Sequence, residues 1–328
     1  MENKKVGIIG TGHFLPKKVL TNADLERMVE TSDEWITTRT GIKERHLVEK
    51  GTATSDIATL AAKDALESSK LNPEDIELII VGTVTPDMQF PSTACLVQAK
   101  LGAKNAAAFD VSAACSGFIY AISVAEAMIK SGQYKNALVI GSEVLSSIVD
   151  WQDRNTCVLF GDGAGAAILA PVDEGGILST YIGSDGTQAG LLTLPAGGSA
   201  MPATVDTINN RMHYLKMSGN EVFKIAVKAM ADAADKAAKK AGILTVDQID
   251  LIIPHQANMR ILLAVANRLK IPEEKLFLNV AKHGNMSSAS TAVALDEAVQ
   301  QGRIKKGDNI ILVAFGAGLT WAACVIKW

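Results

Sequence analysis

One stretch in the first half of the chain carries apolar or small residues at nearly every position. From Cys115 to Met128 the only charged residue is Glu126, so a helix over this stretch lacks a polar face and belongs in the protein interior. Lys130 and Gly132 follow, and both residue types are typical of helix ends. The pattern therefore predicts a buried helix whose first turn contains a thiol or directly follows it.

Shorter apolar runs, separated by polar turns, predict the rest of the secondary structure. The predicted strands are 6–9, 76–81, 137–140, 249–253 and 310–313. The predicted helices are 57–66, with the possible cap Ser55, and a helix from Pro91 and Ser92 to Leu101, ended by Gly102. Residues 160–170, FGDGAGAAILA, predict a glycine-rich turn for close backbone packing, followed by a strand. Strands that alternate with helices indicate an α/β fold.

The second half of the sequence echoes the first. IDLII at 249–253 matches IELII at 76–80, and FGAGLTWAACVI matches FGDGAGAAILA. The stretch GNMSSASTAVALDEAVQQG matches the cysteine helix in length and in its content of small residues. The offset of about 170 residues indicates duplication of one strand–helix unit. Because Cys115 then aligns with Asn285, two packed copies are expected to bring these two helix starts together.

Composition and charge narrow the class of protein. A chain of 328 residues with 48% hydrophobic residues can bury a large core, and its net charge of −3 gives no sign of nucleic-acid or membrane-surface binding. No apolar run is long enough for a membrane span, and the N-terminus lacks a signal-peptide pattern. Four cysteines without C-x-x-C spacing favour a reducing cytoplasm and imply no metal. Cys95, Cys157 and Cys324 are expected in the core.

Cys115 is the candidate nucleophile. Unpaired N–H groups and the helix dipole at a helix start favour the thiolate over the thiol. The alternative is that Cys115 is simply a small buried residue, as free cysteines usually are. This stretch alone leaves both interpretations open.

A histidine and an amide complete the candidate site. His255 ends a predicted strand, and the C-terminal ends of strands face the same rim as the helix starts. Considered alone, His255 is as compatible with a buried structural histidine as with a catalytic one. Together with Asn285 at the related helix start, it gives the Cys115 thiol two hydrogen-bonding partners.

Two other segments carry candidate ligand contacts. Gly10-Thr11-Gly12 follows a predicted strand, but a dinucleotide site needs a third glycine and a helix, so this interpretation is weak. Trp35 and Arg39 lie in a polar segment and can stack on a flat ligand. Taken alone, that segment is better explained as a surface helix with a packed tryptophan.

Seven motifs, distributed over the whole chain, together carry a specific resemblance. They are TSDEWITTRTGI, DVSAACSGF, FGDGAGAA, GNEVFK, PHQANMRI, HGNMSSAS and FGAGLTW. In this order they make the sequence similar to the β-ketoacyl-acyl-carrier-protein synthase III family of bacterial fatty-acid synthesis. The resemblance implies a thiolase-like α/β fold, with duplicated βα halves forming five αβαβα layers, and a homodimer. We place the half with the nucleophile at 1–172 and the half with His255 and Asn285 at 173–328.

The resemblance also implies the reaction. A short acyl-CoA, with acetyl-CoA the expected primer, acylates Cys115. Malonyl-acyl-carrier protein then loses carbon dioxide, and the resulting enolate attacks the acyl thioester. His255 and Asn285 act as neutral donors to the enolate oxygen, and the backbone N–H groups of Cys115 and Ala317 stabilise the acyl thioester oxygen. Acyl-CoA is a substrate here, and no cofactor or metal is expected.

Binding contacts follow from the same resemblance. The residues expected to bind CoA are Trp35 and Arg154, on either side of the adenine, Arg39 and Asn258. Those expected to line the acyl pocket are Val84, Phe315 and, across the dimer interface, Phe90. Those expected to dock the acidic carrier protein are Lys224, Arg260 and Arg268. Without the resemblance, this last group would be interpreted as a solvated helix face.

Two positions depart from the family pattern: Met286, where many relatives have threonine, and Ala317, where glycine is common. Neither removes a catalytic group, and variation at Val84 leaves the preferred chain length open. The alternatives are a specialised secondary-metabolite ketosynthase or acyltransferase of the same fold, a non-catalytic CoA- or carrier-protein-binding module, and a nicotinamide-dependent oxidoreductase. A thiolase or an elongating synthase would carry a second histidine in place of Asn285.

Overall fold

The structure of the protein is a computed structural model that describes residues 4–328. Within this range the strands are β1 (Val6–Phe14), β2 (Lys18–Thr21), β3 (Glu44–Leu47), β4 (Leu78–Gly82), β5 (Ala107–Val111), β6 (Ala137–Glu143), β7 (Gly163–Pro171), β8 (Gly176–Ser184), β9 (Leu192–Thr193), β10 (Lys216–Met217), β11 (Leu251–Pro254), β12 (Asn309–Gly316) and β13 (Thr320–Lys327). The helices are α1 (Asn22–Glu26), α2 (Asp33–Thr40), α3 (Thr54–Ser69), α4 (Thr93–Leu101), α5 (Gly117–Lys130), α6 (Arg154–Cys157), α7 (Val205–Asn209), α8 (Gly219–Lys240), α9 (Met259–Leu269), α10 (Val280–His283) and α11 (Ser288–Gln300). Among the described residues, no helix combines the length and the apolar character needed to cross a bilayer.

Two mixed sheets have the same strand order. In the first the order is β1-β7-β6-β4-β5, and in the second it is β8-β13-β12-β11. Strand β4 is parallel to β5 and β6, β11 is parallel to β12, and the other neighbours are antiparallel. A bridge between Ile252 and Leu276 extends the second sheet at the position that β5 takes in the first. The predicted division between residues 172 and 173 falls between β7 and β8, and we propose that these two ranges are the copies of one duplicated unit.

Helices α5 and α11 lie between the two sheets. Most of their residues are therefore buried. Helix α5 contacts β4 and β6 of the first sheet and β8 and β13 of the second, and α11 contacts β6 and β7 of the first and β11 and β12 of the second. Helices α3 and α4 cover the outer face of the first sheet, and α8, with α9 packed against it, covers the outer face of the second. The predicted five-layer αβαβα architecture is confirmed.

Glycines allow the central helices to approach the first sheet closely. A Cβ on Gly82 would lie 2.6 Å from the carbonyl carbon of Gly117, at the start of α5. A Cβ on Gly141 would lie 2.5 Å from the carbonyl oxygen of Ser288, at the start of α11. Because the strands carry no side chain at these points, both helix starts rest directly on strand backbone.

The segment Gly10-Thr11-Gly12 does not form a dinucleotide-binding turn. It lies inside β1, and a Cβ on Gly12 would lie 2.3 Å from the backbone nitrogen of Ala65 in α3. These glycines therefore serve close packing between a strand and a helix. The observation removes the basis for a nicotinamide-dependent oxidoreductase.

Two smaller predictions are also wrong. Helix α3 is capped by the Asp56 carboxylate, which accepts a hydrogen bond from the Ala53 N–H at 2.9 Å, and not by Ser55. The Ser55 hydroxyl instead donates to the Asp87 carboxylate at 2.6 Å. Cys95 is exposed on α4, whereas the other two cysteines expected in the core are buried.

Candidate active site

A cavity of about 680 Å³ lies between the start of α5, the end of β11 and the start of α11. Its polar lining includes Cys115, His255, Asn285 and Ser287. Much of the remaining wall is apolar, formed by Val84, Leu145, Ile148, Leu159, Leu192, Leu215, Met217, Val222, Met230 and Phe315. The structure thus brings the three predicted catalytic side chains to one cavity, and their roles remain predictions.

Cys115 lies in a 3₁₀ turn, Ala114–Ser116, directly before α5. The residue is buried, and Ala114 before it has a left-handed φ of 45°. Gly316 at the end of β12 permits a close approach to this turn, because a Cβ there would lie 2.6 Å from the Cys115 nitrogen. The thiol is therefore held at a helix start, where the sequence predicts it.

The expected lowering of the Cys115 pKa is wrong in direction. Burial raises the pKa of the thiol to about 12. The Ser287 hydroxyl opposes this shift, and the Glu143 carboxyl adds to it. The sulfur lies in the 3₁₀ turn and faces a largely apolar cavity, so desolvation is the largest cause of this shift in the thiol pKa. Cys115 is therefore a thiol in this structure, and forming the thiolate requires a group that accepts its proton.

His255 directly follows β11 and is buried. Its backbone N–H donates to the Val313 carbonyl at 2.7 Å, and its ring Nδ1 has no hydrogen-bond partner within residues 4–328. Burial lowers the pKa of the imidazole to about 3, so the ring is neutral at neutral pH. A neutral ring suits donation of a hydrogen bond to an oxygen that becomes negative during a reaction.

Asn285 is fixed by its backbone and by its side-chain oxygen. Its N–H donates to the Leu159 carbonyl at 2.9 Å, and its carbonyl accepts from the Gly161 N–H at 3.0 Å. The side-chain oxygen accepts from the Ser287 N–H at 2.9 Å. This hydrogen bond orients the amide, so its NH₂ group can donate to a ligand in the cavity.

The two backbone groups predicted to form the oxyanion hole also lie at this cavity. Cys115 and Ala317 both line it, and Ala317 follows the close approach of Gly316 to the Cys115 turn. Within residues 4–328, neither the Cys115 N–H nor the Ala317 N–H donates to a backbone carbonyl. Neither group is therefore engaged by a backbone carbonyl, although the Cys115 N–H also lies within hydrogen-bonding reach of its own thiol.

Trp35 forms the centre of a cationic cluster outside the cavity lining. The guanidinium of Arg39 lies 4.7 Å from its ring centroid, and that of Arg154 lies 5.2 Å from it. Arg154 also donates to the Glu30 carbonyl at 2.9 Å. The structure places these three predicted CoA contacts together, but an adenine between Trp35 and Arg154 requires the guanidinium to move away from the ring.

Asn258, the fourth predicted CoA contact, lies apart from that cluster and lines the cavity. Its side-chain oxygen caps α9 by accepting from the Ile261 N–H at 2.9 Å. The oxygen therefore has a structural role, and only the NH₂ group remains for a ligand.

The predicted acyl-pocket residues are divided between two places. Val84 and Phe315 line the cavity that contains Cys115. Phe90 is 83% exposed and is not part of this lining. Phe90 therefore does not line the acyl pocket of its own chain. Its exposed position is compatible with a role in the pocket of a second copy.

The three predicted docking residues are exposed on α8 and α9. Lys224 and Arg260 also line the cavity, and the Arg260 guanidinium stacks 5.4 Å from the Phe223 ring centroid. Arg268 lies beyond the lining, 3.5 Å from the Asp232 carboxylate. The first two therefore form a positive rim of the cavity, beside the exposed Glu221 that also lines it, and Arg268 is partly neutralised.

Two residues beside the thiol were missed by the sequence reasoning. Ser287 lines the cavity with φ 48° and ψ −123°, a backbone conformation that is strained for a residue with a side chain. Glu143 is fully buried at the end of β6, next to the strand that carries Gly82. The available signal was a carboxylate that ends an otherwise apolar strand, at the rim where strand ends face the helix starts.

A separate polar group lies away from the cavity. His13, Asp64 and Asp296 approach one another closely enough to share an ion. The ring Nδ1 of His13 lies 2.6 Å from a carboxylate oxygen of Asp296, and the backbone N–H of His13 donates to the Asp64 carboxylate at 2.9 Å. These hydrogen bonds account for the cluster, and it gives no ground for a metal site.

Comparison with known proteins places the chain in a family. Family models described as 3-oxoacyl-[acyl-carrier-protein] synthase III and as its C-terminal part match residues 109–186 and 239–328. The chain is 59% identical to the β-ketoacyl-[acyl-carrier-protein] synthase III of Caldanaerobacter subterraneus subsp. tengcongensis, over 100% of this chain and 99% of the relative.

Solved structures show the same relationship. The 3-oxoacyl-[acyl-carrier-protein] synthase III of Aquifex aeolicus VF5 superposes with a TM-score of 0.91 at 50% identity, over 98% of this chain and 100% of that one. The priming β-ketosynthase of the R1128 polyketide biosynthetic pathway superposes with a TM-score of 0.92 at 35% identity, over 99% and 97%. The chain therefore belongs to the β-ketoacyl-acyl-carrier-protein synthase III family of thiolase-like condensing enzymes, which are acyltransferases.

Proposed function

We propose that the protein condenses a short acyl-CoA, first of all acetyl-CoA, with malonyl-acyl-carrier protein to give a 3-ketoacyl-carrier protein that starts fatty-acid synthesis. The observation that carries this proposal is the presence of a thiol, a neutral imidazole and an amide NH₂ group at one cavity. A nucleophile with two neutral donors suits a reaction that forms first a thioester and then an enolate.

In the first half of the reaction, Cys115 attacks the carbonyl carbon of the acyl-CoA thioester. The backbone N–H groups of Cys115 and Ala317 donate to the carbonyl oxygen as it becomes negative. The carbon–sulfur bond to CoA breaks, and the acyl group remains on the cysteine. Because acyl-CoA is consumed as a substrate, this account uses no further cofactor.

In the second half, malonyl-carrier protein enters the same cavity. His255 and the NH₂ group of Asn285 donate to its thioester oxygen, so the electrons left by departing carbon dioxide are stabilised as an enolate. Each such donor is worth about 3–4 kcal/mol in comparable oxyanion sites. The enolate carbon attacks the acyl group on Cys115, and the carbon–sulfur bond breaks to release the 3-ketoacyl product.

The outer surface supplies binding contacts for both substrates. We propose that Trp35, Arg39 and Arg154 hold the adenine and phosphates of CoA, with the Asn258 NH₂ group further inside. The positive rim of Lys224 and Arg260, with Arg268 behind it, suits an acidic carrier protein. Both substrates then use one opening, which fits a reaction in which CoA leaves before the carrier protein arrives.

We propose a homodimer in the cytoplasm. Phe90 is 83% exposed and Met88 is 50% exposed, and β5 lies at the edge of the first sheet with backbone groups available for pairing. A second copy that covers this edge removes exposed apolar surface and carries Phe90 towards its neighbour's site. The four unpaired cysteines fit a reducing compartment.

A specialised priming synthase is the second candidate. The cavity of about 680 Å³, with its largely apolar wall, offers far more volume than an acetyl group fills. The likeness to the R1128 priming β-ketosynthase, at 35% identity, supports this alternative. It differs from the first candidate in the acyl group and not in the reaction.

The test is the mass of the intact protein after incubation with a panel of acyl-CoAs, run beside Cys115→Ala. The proposal expects one acyl group per chain from acetyl-CoA and other short donors, and none in the variant. Loading by long or aromatic donors alone selects the specialised synthase. No adduct from any donor supports a non-catalytic binding module and contradicts the proposal.

A further inference from the structure

Residues 316–320 form the tight hairpin turn between β12 and β13 and bring Ala317 to the cavity. Gly316 and Thr320 lie opposite each other in the antiparallel ladder. The backbone of Gly316 lies directly against the turn that carries Cys115, since a Cβ on Gly316 would lie 2.6 Å from the Cys115 nitrogen. The hairpin turn and the Cys115 turn therefore carry the two N–H groups that the proposed function assigns to the oxyanion hole.

The side chain of Thr320 connects these two turns. Its hydroxyl oxygen lies 2.9 Å from the Ala113 carbonyl oxygen and 3.1 Å from the Ala317 carbonyl oxygen. A threonine has one hydroxyl hydrogen, so the two carbonyls share it or take it in turn. The Ala113 carbonyl also accepts the Ser116 N–H at 3.1 Å, whereas the Ala317 carbonyl accepts no backbone N–H within residues 4–328. Thr320 is therefore the side chain that holds the hairpin turn to the start of the Cys115 turn.

The first half of the chain contains a matching contact. FGAGLT at 315–320 matches FGDGAG at 160–165 in sequence. In the first half, two backbone hydrogen bonds join this segment to the turn that carries Asn285. The Asn285 N–H donates to the Leu159 carbonyl at 2.9 Å, and the Gly161 N–H donates to the Asn285 carbonyl at 3.0 Å. Backbone groups alone therefore hold the two segments of that contact together.

The contact in the second half is made differently. Within residues 4–328, no backbone hydrogen bond joins the hairpin turn to the Cys115 turn. A bond like the one from Asn285 would occupy the Cys115 N–H. The Thr320 hydroxyl connects the two turns through carbonyl oxygens instead, and it leaves the N–H groups of Cys115 and Ala317 free of that contact. The matching position in the first half is Gly165, which has no hydroxyl.

We propose that Thr320 is a positioning residue for the oxyanion hole: its hydroxyl holds the hairpin turn to the Cys115 turn so that the N–H groups of Cys115 and Ala317 donate to the same carbonyl oxygen. The proposal rests on the proposed function, which assigns these two groups to the acyl thioester. Backbone donors stabilise a developing negative charge best when they are fixed in place before the reaction. Thr320 is not part of the cavity lining, so it acts through the backbone and not on the acyl group.

The first test removes the hydroxyl and keeps the branched shape of the side chain. Thr320→Val should slow acylation of Cys115 about 10–100-fold with no change in KM for acetyl-CoA, because displaced donors lose much of their effect on the transition state. Thr320→Ser keeps the hydroxyl and should retain most of the wild-type rate. Thr320→Ala also lacks the hydroxyl but places no methyl group against the two carbonyls, and it should be slow as well.

The matched control is Thr180→Val. Thr180 lies in β8, which pairs with β13, and it is half-buried like Thr320. Its hydroxyl oxygen lies 3.1 Å from the Ser123 hydroxyl oxygen, and neither residue lines the cavity. Both valine variants lose one half-buried hydroxyl, so their melting temperatures should fall by similar amounts. Equal slowing of acylation in both variants would mean general destabilisation and would contradict the proposal.

The second test observes the oxyanion hole itself. A hydrogen bond to a carbonyl oxygen weakens the carbon–oxygen bond and lowers its infrared stretching wavenumber. In the acyl-enzyme made from acetyl-CoA labelled with ¹³C at the carbonyl, this band should lie higher in Thr320→Val and Thr320→Ala than in the wild type. It should stay at the wild-type position in Thr320→Ser and Thr180→Val. Because only acylated molecules carry the label, partial unfolding of a variant does not alter the comparison.

Decarboxylation supplies the third comparison. Carbon dioxide release from malonyl-carrier protein is assigned to His255 and Asn285, which the Thr320 hydroxyl does not contact. The rate of release per folded molecule should therefore change little in the hydroxyl-free variants. A decrease as large as that in acylation would show a general structural role and would overturn the proposal.

The outcomes separate this inference from the proposed function. If the wild type is acylated but both hydroxyl-free variants keep its acylation rate or its carbonyl band, the role of Thr320 is contradicted and the condensing function stands. If the wild type itself takes no acyl group, the proposed function fails first, and the role of Thr320 fails with it.

Discussion

The starts of α5 and α11 both lie between the two sheets, and they differ in chemistry more than in backbone geometry. In the register that aligns Cys115 with Asn285, the residue before each has a left-handed φ, 45° at Ala114 and 64° at Gly284. Each helix start rests on a strand glycine of the first sheet, Gly82 for α5 and Gly141 for α11. Two similar helix starts therefore meet at one cavity.

The side chains at these two helix starts differ in chemistry, and under the proposed function they act in different half-reactions. The α5 start offers one thiol among apolar and small residues, with burial raising its pKa to about 12. The α11 start offers buried amide and hydroxyl groups, which donate without carrying charge: Asn285, Ser287, Ser288, Ser290 and Thr291. Under the proposed function, the α5 start supplies the nucleophile and the α11 start supplies a neutral donor, so acylation and decarboxylation should respond to changes in different helix starts.

The largest expected effect comes from removing the nucleophile. Cys115→Ala should lose condensation by a factor on the order of 10⁶, as other covalent catalysts do without their nucleophile. The measurement is 3-ketoacyl product formation by mass spectrometry. An active variant would mean that the α5 start is not where the acyl group is held.

Removing the side chain of Asn285 or of His255 should affect the decarboxylation of malonyl-carrier protein and not the acylation of Cys115. Asn285→Ala and His255→Ala should each slow malonyl-carrier-protein decarboxylation by about 10²–10³-fold, because each removes one donor to the enolate oxygen. Acylation of Cys115 should remain detectable in both. Normal carbon dioxide release from either variant would show that the side chain it lacks is not a donor to the enolate oxygen.

A matched pair of glycine substitutions tests the same division through the backbone. Gly82→Ala should displace the α5 start and slow acylation, whereas Gly141→Ala should displace the α11 start and slow decarboxylation. Each is expected to cost about 1–3 kcal/mol of unfolding free energy through overpacking, so rates are compared per folded molecule at a temperature where both are folded. Equal effects of both changes on both half-reactions would show that the starts are not independent.

The contacts with CoA are expected to contribute less. Arg154→Ala should raise KM for acyl-CoA about fivefold, corresponding to roughly 1 kcal/mol for a stacked guanidinium, with little change in kcat. Arg27→Ala, which removes an exposed arginine paired with Asp24, is the control. A fall in kcat with KM unchanged would place Arg154 outside the CoA site.

The smallest effect is expected at the carrier-protein surface. Arg260→Ala should raise KM for malonyl-carrier protein about two- to fivefold at low salt, and the difference should shrink as salt screens the charge. Arg268→Ala should have less effect because Asp232 already lies 3.5 Å from its guanidinium. An effect on KM for acyl-CoA of the same size would argue against carrier-protein docking.

The sequence predicted the parts of the molecule that a local pattern encodes. The apolar run after Cys115 gave the central helix, Ser92 and Gly102 gave the ends of α4, and the internal echo gave the meeting of Cys115 with Asn285. These depend on periodicity, caps and duplication, all of which are written along the chain.

The features that were missed depend on three-dimensional surroundings. The sign of the Cys115 pKa shift is set by desolvation in a cavity built from both halves, and no local pattern reports it. The strained backbone of Ser287 at the cavity and the burial of Glu143 at the end of β6 depend on packing between segments that are far apart in sequence. Gly10-Thr11-Gly12 was misleading because packing glycines and ligand-binding glycines look alike without their neighbours.

One experiment tests the central claim most directly. Asn285→Ala is incubated with acetyl-CoA, its intact mass is recorded, and malonyl-carrier protein is then added while carbon dioxide release is followed. We predict one acetyl group per chain that persists after the addition, with decarboxylation slowed about 10²–10³-fold. A variant that takes no acetyl group, or that decarboxylates at the wild-type rate, would contradict the claim that the two helix starts divide the reaction between them.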